Sequence, residues 1–136
     1  MKLPELRIGN FFALHSWYEE QSKTGQITEI SKKHVCINAK SVSPDHIIPI
    51  EITEGILLHS GFKHFDWLKD SSVFECKHFK CTLDGNGVNL FCDDLKIMRS
   101  VKYLHELQNL YFDLTEEELE IDLNYITTVT AEAINN

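Results

Sequence analysis

The apolar residues of this 136-residue chain change period once, and that change limits the folds open to it. Between Arg7 and Arg99 they come in short runs rich in β-branched and aromatic residues, broken by Gly, Pro, Asp, Asn and Ser. Such runs read as strands joined by tight turns. From Tyr103 the spacing shifts: Tyr103, Leu104, Leu107, Leu110, Tyr111 and Leu114 recur at three and four, with Phe112 widening the stripe. That is the apolar face of an amphipathic helix. A chain of short strands that ends in helix buries the helix stripe on a sheet, which is the α+β class.

The strand text divides in two. Arg7–Leu14 reads as a first strand bent at Gly9, Gly25–Ile30 as a second and His34–Ile37 as a third. Val35 and Ile37 share a face, whereas Ile27 and Ile30 require a bulge between them. Pro44 and Pro49 bracket an edge or irregular segment. Residues 6–52 are therefore expected to form a small SH3-like barrel or a curved antiparallel sheet. Thr53 is placed to cap a short helix that stops at Gly61, giving a helical unit over 53–62. From 72 to 99 the text is a β-meander, with Asp84-Gly85-Asn86-Gly87 as its strongest hairpin turn. Residues 101–124 form the helical segment, and Thr115-Glu116-Glu117-Glu118 has the capping-box spacing of a second helix start. The expected domain is 1–124, with 125–136 a loosely ordered tail.

A chain of 15.7 kDa can bury roughly two-thirds of the surface it exposes when unfolded, so no disulfide or metal is required for folding. No apolar stretch approaches the span of a membrane, and Met1-Lys2-Leu3-Pro4-Glu5 lacks the apolar core of a signal peptide. The cytoplasm is the expected location, with no membrane partner, and the four cysteines are expected as free thiols. The net charge of −8 is concentrated at one end, since residues 101–136 hold one lysine and eight of the 21 carboxylates. Such an acidic segment repels phosphate backbones and argues against general nucleic-acid affinity.

Several residues could carry chemistry. Cys76, His78, Cys81 and Cys92 supply the donors of a structural zinc, but no Cys-x-x-Cys knuckle is present, and Cys81 has the wrong parity to join Cys76 and His78 on a single strand. On that count Cys81 and Cys92 are core thiols, His78 is exposed, and no metal is expected. Seven histidines (15, 34, 46, 59, 64, 78 and 105) offer many pairings, yet there is neither a Gly-x-Ser-x-Gly elbow nor a glycine-rich phosphate loop. No catalytic residue and no cofactor is assigned. His105, Glu106 and Gln108 are expected on the solvated face of the long helix, and Glu116, Glu117, Glu118 and Glu120 as first-turn carboxylates that favour a helix N-terminus. Phe11, Phe12, Trp17 and Tyr18 crowd eight residues, more than one strand face buries, so Phe12, Trp17 and Tyr18 are the candidate partner-binding residues.

Two local patterns carry resemblances. Gly25-x-Ile27-x-x-Ile30 followed by Val35-x-Ile37 is similar to the glycine-led hairpin of KOW-type barrels. Three blocks, Leu6-Arg7-Ile8-Gly9-Asn10, Ile47–Glu54 with Leu57-Leu58-x-x-Gly61-Phe62, and Tyr103–Leu119, resemble a family of short uncharacterised bacterial and prophage-type proteins. Glu106 and Asp113 depart from it, standing where Gln and Ala are expected. The resemblance implies no activity and no functional residues. The expected function is a non-enzymatic accessory or protein-interaction module of mobile-element origin. The alternative is a nucleic-acid-binding module that stacks bases on Trp17 and Tyr18 and holds phosphates with Lys32, Lys33 and Lys40.

Overall fold

A computed structural model describes residues 6–14, 24–31, 34–37, 40–43, 47–64, 73–76, 79–84, 87–92 and 97–128. The chain is α+β. Strands β1 (Phe11–Leu14), β2 (Thr24–Ile30), β3 (Val35–Ile37), β4 (Lys40–Val42) and β5 (Ile47–Ile48) make an antiparallel sheet of order β4-β3-β2-β1-β5. Helix α1 (Glu54–His59) follows. Strands β6 (Lys63–His64), β7 (Val73–Cys76), β8 (Phe79–Asp84), β9 (Gly87–Cys92) and β10 (Ile97–Val101) then form a second sheet of order β10-β9-β8-β7-β6. Helix α2 (Leu104–Thr115) and a short helix α3 at 123–128 close the described chain.

The first sheet curls into a half-barrel. The β2–β3 register slips between Ile27 and Glu29, which is the bulge that the spacing of Ile27 and Ile30 calls for. Curling turns Phe12, Ile27, Val35, Ile37, Val42 and Ile47 inward, joined by Leu6. The bend at Gly9 is real (φ +101°), and regular pairing of β1 begins only after it, at Phe11↔Gln26. β1 is buried on both faces. Phe12 points into the half-barrel, while Phe11 and Ala13 point out and pack with Ile50, Ile56, Leu104 and Ile126.

Thr53 caps α1 as its position predicts, its hydroxyl accepting from the Ile56 N–H at 3.2 Å. The helix ends at Ser60 and Gly61 (φ +91°), with the Phe62 N–H returning to the Leu57 carbonyl at 3.1 Å. This six-to-one bond is a Schellman closure, and the positive φ explains the glycine. In the second sheet the expected meander runs from β7 to β10, and β8 and β9 meet at Asp84↔Gly87 as the hairpin residues require. The core above it combines Phe74, Cys81, Val88 and Leu90 of the sheet with Leu57, Phe62, Leu107, Tyr111 and Leu119.

The chain between the two sheets holds them together. Leu104 N–H donates to the Ile50 carbonyl at 2.7 Å, Ile52 N–H donates to the Lys102 carbonyl at 3.0 Å, and Glu51 bridges Tyr103. Residues 50–52 and 102–104 thus act as a short ladder that sets α2 across both sheets.

Two expectations for the C-terminal segment fail. Thr115 does not start a helix; it ends α2, donating its hydroxyl to the Tyr111 carbonyl at 2.7 Å. Glu116 follows in the left-handed region (φ 61°) and returns its N–H to Phe112 at 2.7 Å. A Thr with a Glu three residues on satisfies the capping-box spacing, but the apolar stripe of α2 carries the helix through to Thr115, and packing decides. The next helix, α3, is capped instead by Asp122, whose carboxylate accepts from the Tyr125 N–H at 3.1 Å. Nor do residues 125–128 dock loosely. Ile126 is 1% exposed, Tyr125 stacks on His59 with ring centroids 3.8 Å apart, and Thr127 shares a 2.7 Å hydroxyl bond with Thr24. Gly55 makes room for this contact, since a Cβ there would lie 1.7 Å from the Tyr125 Oη.

Candidate functional site

The polar residues of the chain's start and of α2 meet. Gln108 is 1% exposed, accepts from the Phe11 N–H at 2.9 Å and donates to the Gly9 carbonyl at 3.0 Å. It completes the backbone bonding of the bent outer face of β1, a strand edge that would otherwise bury unpaired groups. Asn109 Oδ1 accepts from Asn10 Nδ2 at 2.8 Å and from Arg7 Nε at 3.0 Å. The Arg7 guanidinium lies 4.6 Å from the centre of the Phe112 ring and forks onto both carboxylate oxygens of Glu118. His105 is 3% exposed, its ring 4.7 Å from that of Phe12. Glu106 accepts from the Lys102 and Tyr103 N–H groups at 3.2 and 3.0 Å. The expected solvated face is therefore largely an internal one: His105 and Gln108 are buried and Glu106 caps its own helix. Helix periodicity places them beside the apolar stripe, and the curl of the first sheet brings β1 against that flank.

Through Arg7 and Glu118 this network reaches one wall of a cleft. Residues of five segments enclose about 510 Å³: Ser60 and Gly61 of the turn after α1, Lys63 of β6, Glu75 and Cys76 of β7, Tyr111 of α2, and 117–120 of the connection to α3. Cys76, Tyr111 and Leu119 are buried within it, while Lys63, Glu75, Glu117, Glu118 and Glu120 are exposed. Four carboxylates face one lysine, and Arg7 engages only Glu118. Glu75 stands between Lys63 and Lys80 in the strand register, on the face of β7 opposite Phe74 and Cys76, and Glu120 makes no ion pair among the described residues. Ser60 is 2% exposed, and its Oγ has no hydrogen-bond partner. A second, shallower hollow of about 380 Å³ lies along the other flank of α2, lined by Ser100, Val101, His105, Glu106, Asn109, Leu110 and Asp113.

Of the partner-binding candidates, Phe12 is corrected. It is fully buried in the half-barrel and presents nothing to a partner. Four aromatics in eight residues exceed one strand face, but β1 has two buried faces. Trp17 and Tyr18 lie outside the described residues, as do Lys32 and Lys33; Lys40 opens β4.

The cysteine argument from parity is also corrected. Cys76 ends β7 and Cys81 lies on β8, with Phe74↔Cys81 and Cys76↔Phe79 in register, so both thiols share the core face. The intervening hairpin, not a single strand, sets their orientation. Burial, and secondly the neighbouring Cys76, push the Cys81 thiol up to about 12. Such thiols are inert packing groups. His78 lies outside the described residues, and among those described no three His, Cys, Asp or Glu side chains converge as metal ligands. None of the described helices is long and apolar enough to cross a membrane.

The acidic cleft was not singled out by the sequence. Its glutamates were visible, but the spacing at Thr115 assigned them to a helix start. Only the left-handed Glu116, which ends α2 and swings 117–120 over β7, makes them a wall. Comparison with protein-family models, with curated proteins and with solved structures gives no match.

Proposed function

We propose that this chain is a non-enzymatic protein-interaction module that receives its partner in the acidic cleft between α1, β7 and the α2–α3 connection. The observation that carries the reading is the cleft's make-up: an apolar floor of Cys76, Tyr111 and Leu119 under a rim with Glu75, Glu117 and Glu120. An apolar centre within a charged rim is the anatomy of a recognition surface. The excess of carboxylates steers association with a basic partner and disfavours phosphate backbones at this face. An accessory role in a mobile element rests on the three resembling sequence blocks alone.

Tagged chain, passed through host lysate at low salt, is expected to retain one stoichiometric protein. The variant combining Glu75→Gln, Glu117→Gln and Glu120→Gln is expected to lose it while keeping its circular dichroism. A clean monomer with no retained protein, or equal retention by the variant, contradicts the reading.

A further inference from the structure

We draw no further inference here: the strongest candidate, the shallow hollow between the end of the edge strand β10 and the flank of α2 beside it, carries nothing because nothing in the structure shows what covers it.

Discussion

The half-barrel and the second sheet solve the same problem in opposite ways. The half-barrel curls at the Ile27–Glu29 bulge and fills its interior from its own strands and Leu6. The second sheet is a meander whose apolar face is covered by residues from α1, α2 and Leu119 of the following connection. One core is closed by geometry, the other by a lid from elsewhere in the sequence. The lid leaves an edge, and the acidic cleft lies there, between β7 and the connection that covers it. The closed core provides the base on which α2 is fixed, through Gln108 and the 50–52/102–104 ladder.

The largest effect should come from opening the closed core. Phe12→Ala is expected to destabilise the chain by about 3–5 kcal/mol, measured by urea denaturation, because curled strands cannot collapse onto the void. A loss under 1 kcal/mol would mean that Phe12 is not enclosed. A smaller loss, about 1–3 kcal/mol, is expected for Gln108→Leu, which strands the Phe11 N–H without its acceptor. If Gln108→Leu were neutral, the 50–52/102–104 ladder and apolar contact would hold α2 without help from Gln108.

The smallest effect concerns the lidded core and pH. The folded Cys81 pKa is raised from 9.0 to about 12, so its contribution is fully present below pH 9 and lost as pH rises toward about 12. Between pH 8 and pH 10 the native chain should lose about 1 kcal/mol more than Cys81→Val, as one pH unit past the unfolded value is worth about 1.4 kcal/mol. Parallel pH curves for the two proteins would place Cys81 in contact with water.

Much of this architecture is legible in residue order. The change of period at Tyr103 announces α2, Thr53 and Gly61 bound α1, and Asp84–Gly87 joins β8 to β9, since each signal acts over a few residues. What escapes is set at long range. Gln108 and His105 look solvated until β1 is laid against them 97 residues away in sequence. Cys81 looks misplaced until the hairpin after Cys76 is known. The glutamates after Thr115 resemble a helix start, and their role as a wall depends on Leu119 docking in the second core. The site was illegible because it is made by the lid, and the lid is tertiary structure.

Native-state hydrogen exchange on Leu119→Ala tests this division most directly. Leu119 belongs to the lidded core and is absent from the half-barrel's. The amides of Phe74, Cys81 and Leu90 should lose protection by at least ten-fold while those of Ile27, Val35 and Ile37 keep theirs. Equal loss in both sets would show one undivided core and contradict the distinction between a closed sheet and a lidded one.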